Sequence, residues 1–264
     1  MNTNPIGILD SGLGGLTIMQ SVMRELPNES IIYVGDSANI PYGEKSSEQI
    51  LQLSRRLVDC LISHHVKLIV VACNAITVTN LENLRTLYPT IPLIGVVPVI
   101  KTAAEKTKNG RIGVLATTAT TRSAYQKKLI ADFADGHAVF THGTDRLVPL
   151  IEQGIVDGAE LSSILHSSLS AFSKEDIDTL VLGCTHFPII EAAIQNVVGV
   201  DVQILDSGGA VARQVRRVLT ANKQLSTGTA QYHVYTTGDK NVAKKIIAST
   251  IEKSEAVSVS EISL

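Results

Sequence analysis

Cys184 and His186 stand two residues apart where the apolar run of "LVLGCTHFP" ends, and Cys73 closes a second such run in "LIVVACN". A thiol placed where a buried strand gives way to a helix meets unpaired backbone N–H groups and the positive end of the helix dipole, both of which favour the thiolate. Such a setting predicts pKa values lowered toward neutrality for both cysteines. His186 is close enough in the chain to hold or exchange a proton with Cys184, or simply to cap the turn. Asp10, in "ILDSGLGG", reads both as an N-cap for the helix that begins after Gly15 and as a carboxylate that could serve a thiol at the same rim. Cys60 lies inside the helical pattern "RRLVDCLI", a packing position.

Two thiols at matching strand ends of two similar halves would face each other across a cleft. A nucleophilic enzyme needs one activated cysteine with a base and an oxyanion hole. A reaction that runs equally in both directions about a planar carbanion needs two matched proton carriers instead. Racemisation is such a reaction. The glycines Gly12, Gly14 and Gly15 miss the G-x-G-x-x-G spacing, so no dinucleotide is expected. The three cysteines are odd in number, widely spaced and without C-x-x-C, which argues against a disulfide framework and a zinc knuckle. A thiol redox protein would in addition need a nearby resolving cysteine.

The elements that must position these groups are short β-branched runs alternating with amphipathic stretches. "PIGILD", "SIIYVGD", "KLIVVACN", "IPLIGVV", "GRIGVLAT", "HAVFTHG", "DTLVLGCTH" and "VQILDSG" read as strands, and "GGLTIMQSVMREL" and "EQILQLSRRLVDCLISHH" as helices. Continuous apolar strands with helices between them imply an α/β fold whose mainly parallel sheets are covered on both faces. Ligands in such folds bind beyond the carboxyl ends of the strands, and those ends carry Asp10-Ser11-Gly12, Gly35-Asp36, Cys73-Asn74, Ala116-Thr117, Cys184-Thr185-His186 and Asp206-Ser207-Gly208. The echoes of "LIVVACN" in "LVLGCTH" and of "ILDSGLGG" in "ILDSGGA" suggest two related halves. A crossing near Pro98 and a return near Gly208 divide the chain into a first domain of 1–97 with 208–264 and a second of 98–207. The stretch after Ser254 reads as a polar tail.

With a formal net charge of -2, no Trp and 4% aromatic residues, the chain offers neither a basic groove nor a stacking platform for nucleic acid. The first residues lack a basic n-region, and no run of about eighteen apolar residues occurs. A cytoplasmic protein acting on a small molecule, with no nucleic-acid or membrane partner, is expected.

In order along the chain, "ILDSGLGGLT", "YVGDSANIPYGEKS", "VVACN", "IGVVPVIK", "TTATTRSAY", "VPLIEQG", "VLGCTHFP", "LDSGGAVAR" and "YTTGD" form a set that resembles the glutamate racemases of the cofactor-independent aspartate/glutamate racemase superfamily. The resemblance implies two pseudo-symmetric α/β domains with the active site between them. It implies Cys73 as the acid/base for the D-enantiomer's Cα proton and Cys184 for the L-enantiomer's. Asp10 and His186 are implied as helpers of the respective thiols, and Glu152 as an auxiliary acid/base near His186. Substrate contacts are implied at Asp10, Ser11, Pro41, Tyr42, Gly43, Asn74, Ala75, Thr185 and His186, with no cofactor and no metal; the sequence does not fix the oligomeric state and leaves a homodimer open. The implied reaction interconverts L- and D-glutamate for peptidoglycan synthesis; the alternatives are a racemase for another acidic amino acid such as aspartate, and a non-catalytic binding protein of the same fold.

The chain departs from the family where Cys-Asn-Thr is usual and Cys73-Asn74-Ala75 stands instead, removing a hydroxyl that normally contacts the substrate. Thr77 is the nearest replacement. Among the cations of these motifs, only Lys101 and Arg122 could stand inside the rim. The substrate's carboxylates are therefore expected to rest on backbone N–H groups and short polar side chains.

Overall fold

The structure, a computed structural model, describes residues 3–264. The chain begins β1 (Ile6–Asp10), α1 (Leu16–Glu25), β2 (Ile31–Gly35), α2 (Ser47–Ser63), β3 (Leu68–Val71), α3 (Asn74–Leu87) and β4 (Leu93–Gly95). It continues with α4 (Ile100–Lys106), β5 (Arg111–Ala116), α5 (Thr118–Arg122), α6 (Ala124–Phe133), β6 (Ala138–Gly143), α7 (Leu147–Glu152), α8 (Ala159–Leu169), β7 (Thr179–Gly183), α9 (Glu191–Val198) and β8 (Gln203–Leu205). The last part is α10 (Gly208–Ala221), β9 (Tyr232–Thr236), α11 (Lys240–Thr250) and β10 (Val257–Glu261).

All strand pairs are parallel. One sheet runs β10-β9-β2-β1-β3-β4 and the other β6-β5-β7-β8. The reason for the uninterrupted apolar runs is visible in the first sheet, where successive residues of one strand enter different cores. Leu68 and Val70 of β3 pack with α1, α10 and α11, while Ile69 and Val71 pack with α2 and α3. In the second sheet Leu180 and Leu182 of β7 face α7, α8 and α9, and Val181 faces α4. Burying each such Val, Leu or Ile side chain contributes about 1.5–3 kcal/mol, and a strand covered on both faces cannot alternate with polar residues.

The order β2-β1-β3-β4 repeats as β6-β5-β7-β8. In this correspondence β3 matches β7, so Cys73 and Cys184 follow equivalent strands. The other sequence echo has a different origin: "ILDSG" ends β1 in its first occurrence and β8 in its second, and these strands do not correspond. The second glycine-rich turn instead serves helix packing, since a side chain on Gly208 would overlap Ser21 of α1.

The reading of the last residues as a polar tail is corrected. Val257–Glu261 is a strand, paired in parallel with β9, and β9 lies against β2. Both are only partly buried, and Ser258 and Ser260 hydrogen-bond to His233, so their sequences carry no apolar run.

Candidate functional site

Cys73 ends the segment after β3 and is the N-cap residue of α3, in extended conformation. Its Sγ lies 3.3 Å from Ser11 Oγ, and that hydroxyl lies 3.5 Å from Asp10 Oδ1. Asp10 terminates β1 and is fully buried; its Oδ2 accepts from the Gly15 N–H at 2.7 Å and from the Tyr33 hydroxyl at 3.5 Å. The helix-capping reading of Asp10 thus takes a shifted form, with the carboxylate receiving an N–H from the residue just before α1. Burial raises the Asp10 pKa above the ordinary carboxylate value, and Glu152 adds to that; the charge of His186 and the N–H of Gly15 oppose it. Cys73 departs from the sequence expectation. Burial first, and then the charge of Asp10, push its thiol above the ordinary value, overriding the hydrogen bonds from Ser11 and the Ile76 N–H. The helix N-terminus is present, but loss of water outweighs it.

Cys184 follows β7, with its Sγ 3.8 Å from His186 Nδ1. The other ring nitrogen, Nε2, is 2.5 Å from Glu152 Oε1. His186 is also buried, and burial alone would lower its pKa; hydrogen bonding to Cys184 and Glu152, together with the Glu152 charge, instead raises it well above the ordinary imidazole value. The result is a Cys–His–Glu line held by charge.

Glu152 sits at the end of α7, yet it is oriented by the other sheet's loops. Its Oε1 accepts from the Leu13 N–H at 2.6 Å and its Oε2 from Ser37 Oγ at 2.9 Å. The turn between β1 and α1 makes room for this crossing by having no side chains at two points. A Cβ on Gly12 would overlap the Glu152 carboxylate, and one on Gly14 would overlap the His186 ring. This is what "DSGLGG" does here.

Between the two thiols lies a cleft of about 410 Å³ including its mouth, lined by Ser11, Cys73, Asn74 and Ala75 on one side and Cys184, Thr185 and His186 on the other. Pro41, Tyr42 and Gly43 form a third wall. Asn74 Nδ2 is a buried donor without a partner, a group that would be satisfied by a ligand's carboxylate oxygen. Chemically, the arrangement presents two thiols, each with its own proton partner, to one enclosed volume.

Residues 6–215 match the Asp/Glu/Hydantoin racemase family. The chain belongs to that family. Among curated members of it, the glutamate racemase of Pseudomonas paraeruginosa is 42% identical over 86% of this chain and 85% of its own length. That of Pseudomonas putida KT2440 is 41% identical over 96% of each. The fold is likewise similar to a glutamate racemase isoform from Bacillus anthracis, with a TM-score of 0.89 and 33% identity over 100% of this chain and 99% of that one. The Francisella tularensis glutamate racemase, solved in complex with D-glutamate, gives a TM-score of 0.83 and 32% identity over 100% and 98% of the respective chains.

In this member of the racemase family the remaining sequence-predicted residues are placed as follows. Asp10 and Glu152 stand behind the lining, in contact with Ser11 and His186 respectively, whereas Ser11, Pro41, Tyr42, Gly43, Asn74, Ala75, Thr185 and His186 all reach the cleft. The Tyr42 hydroxyl is already used, donating to Asp36 Oδ2 at 2.7 Å, and burial with the Asp36 charge raises its pKa. Asp36 also accepts from Asn39 and Thr237, which ties this wall to the end of β9. Thr185 is held through its carbonyl, which accepts from Thr17 Oγ1 at 3.0 Å. Thr77 does not replace the missing hydroxyl next to Cys73, because its own donates to the Val71 carbonyl at 3.3 Å and lies off the cleft.

Lys101 and Arg122 are corrected as rim cations. Both are exposed, and Lys101 lies over the Phe133 ring. Sequence reasoning missed three residues of the lining, Ile40, Asp145 and Val148, and placed Thr117 at the rim without assigning it to the site. That assignment was findable, since Thr117 follows β5 as Ser11 follows β1. Asp145 lies in a loop after β6 with no motif around it.

Proposed function

We propose that this protein interconverts L- and D-glutamate by proton transfer at Cα between two thiols, supplying D-glutamate for the bacterial cell wall from the cytoplasm. The observation that carries the reading is the pairing of Cys73 and Cys184, buried at equivalent strand ends on opposite sides of one cleft. The kinship with curated glutamate racemases supports the choice of substrate. Among the described residues no helix is long and apolar enough to cross a membrane.

In the L-to-D direction the Cys184 thiolate removes the Cα proton, and the Cys73 thiol delivers its own proton to the opposite face. Charge is conserved: the thiolate moves from Cys184 to Cys73 while the carbanion forms and is quenched. His186, held by Glu152, stabilises the Cys184 thiolate and then takes part in its reset. Ser11 gives Cys73 a route to Asp10, whose raised pKa suits it to return a proton. Asn74 Nδ2 and the N–H groups at the start of α3 receive the α-carboxylate, which stabilises the negative charge developing at Cα. No cofactor enters this scheme. The division into units of 1–97 with 208–264 and 98–207 belongs to the same proposal and is supported by which strands share a sheet.

The test is isotopic. With L-glutamate in D₂O stopped at low conversion, the D-glutamate formed carries deuterium at Cα, because the donor thiol has equilibrated with solvent, while recovered L-glutamate stays protiated. The mirror experiment behaves likewise. Early product that keeps the substrate's own Cα proton would mean one base acting on both faces.

A further inference from the structure

Tyr33 is a fully buried tyrosine of β2 that the proposed reaction leaves unused. Its ring lies in the core with Leu13, Leu16 and Ala72, against the turn from β1 to α1, where a Cβ on Gly15 would stand 3.1 Å from ring Cε2. The hydroxyl has two oxygens within reach, the Gly12 carbonyl at 2.6 Å and Asp10 Oδ2 at 3.5 Å. It carries one proton, and the nearer oxygen takes it. Burial, with the charges of Asp10, Glu152 and Cys73, raises the Tyr33 pKa well above the ordinary value, so the hydroxyl stays a donor at neutral pH.

The Gly12 carbonyl and the Leu13 N–H are the two polar ends of one planar peptide and point in opposite directions. That N–H donates at 2.6 Å to Glu152 Oε1, and the same oxygen is 2.5 Å from His186 Nε2. One chain of contacts therefore runs from the Tyr33 hydroxyl through a single peptide to Glu152, His186 and, at 3.8 Å, the Cys184 sulfur. Donation to the carbonyl polarises the peptide, strengthens its N–H as a donor and fixes the direction in which that N–H points. The Gly12 oxygen is seated against the bare backbone of Gly35, where a Cβ would overlap it. Resting on the reading of function above, we propose that Tyr33 is a positioning residue for the Cys184 side of the reaction, acting through the Gly12–Leu13 peptide on Glu152, although its hydroxyl also lies 3.5 Å from Asp10, the partner of Cys73.

Tyr33→Phe keeps the buried ring and removes only the hydroxyl. In this variant kcat for glutamate falls about tenfold, the size of one buried hydrogen bond left unmade, while KM changes less than about twofold. The primary isotope effect of Cα deuteration grows for L-glutamate, the enantiomer that Cys184 deprotonates in the proposed reaction, and stays at its wild-type value for D-glutamate. The loss passes through Glu152, so the Tyr33→Phe/Glu152→Gln double variant lies within about threefold of the slower single variant. Amide hydrogen exchange, followed by NMR on the full chain, tests the same point without turnover. Leu13 exchanges about tenfold faster in Tyr33→Phe, whereas Gly15, whose N–H is held by Asp10, keeps its wild-type rate. An unchanged kcat, an isotope effect that grows equally for both enantiomers or for D-glutamate alone, multiplicative losses in the double variant, or equal acceleration of Leu13 and Gly15 would overturn the proposal; the equal changes would mean that the hydroxyl only stiffens the turn as a whole. A wild-type protein that turned over no glutamate would count against the reaction instead, and the exchange rates of Leu13 and Gly15 would then decide whether Tyr33 holds the peptide that orients Glu152.

Discussion

Cys73 and Cys184 follow equivalent strands of two sheets with the same strand order, yet each is served by different chemistry. Cys73 reaches a buried carboxylate through a serine hydroxyl, so removing its proton adds negative charge beside Asp10. Cys184 faces an imidazole whose positive form is secured by Glu152. The repeated fold therefore fixes where the thiols stand, and the loops decide how each is charged. Near-mirror positions suffice for opposite faces of a planar carbon. Equal proton affinities are not needed, provided each thiol has a partner that restores it.

The strongest way to break this comparison is to remove one partner at a time. His186→Asn and Asp10→Asn should each lower kcat/KM by about a hundred- to a thousandfold. L- and D-glutamate have equal free energies, so that ratio must fall by the same factor in both directions. The difference between the sites appears in isotope effects. With His186→Asn the primary effect of Cα deuteration should grow for the L-enantiomer, the one that Cys184 deprotonates in the proposed reaction; with Asp10→Asn it should grow for the D-enantiomer. Stopped-time circular dichroism with deuterated substrates reads both. Identical isotope patterns in the two variants would mean that the partners are not divided between the thiols.

A smaller effect is expected from Ala75, which occupies on the Cys73 side a place next to the lone Asn74 donor. Ala75→Thr should lower KM for glutamate about ten- to a hundredfold if its hydroxyl gains one charge-assisted hydrogen bond of about 1.5–3 kcal/mol. The Thr77 hydroxyl is spent on Val71 and does not already fill this role. Steady-state kinetics decide it, and an unchanged KM would show that the cleft binds the carboxylate by backbone groups alone.

The smallest effect concerns stability. His186 has a folded pKa raised above its ordinary 6.5, so its contribution is fully present below that value and is lost as pH rises through the folded value. The melting temperature of His186→Asn should therefore lie a few degrees below wild type near pH 6 and approach it in alkaline buffer. A gap that widened with pH would contradict the charge assigned to the Cys184 side.

Strands β1 to β5 and β7 were legible because largely buried strands leave unbroken apolar runs, β6 and β8 were legible as short β-branched runs in the same alternation although they are poorly buried edges, and the rim rule then found Asp10, Cys73, Cys184 and His186. β9 and β10 were not legible, since "YHVYT" and "VSVSE" are only partly buried and mix polar with apolar residues. The match of Cys73 to Cys184 was readable, whereas the second echo belonged to helix packing at Gly208. The raised pKa of Cys73 was hidden because burial is a property of the assembled fold, while a helix start shows in sequence. Contacts such as Ser37 to Glu152, more than a hundred residues apart, leave no local pattern at all.

The glycine turn after β1 has a mechanical consequence. Leu13 and Ser37 hold Glu152, Thr17 holds Thr185, and the bare backbone of Gly12 and Gly14 receives Glu152 and His186, so the proton partner of one thiol is assembled by loops belonging to the other sheet. Any separation of the sheets wide enough to admit an amino acid past these loops must unfasten the same hydrogen bonds. With the loops apart, Glu152 would lose the N–H and the hydroxyl that orient it, while its contact with His186, made within one sheet's own elements, would remain.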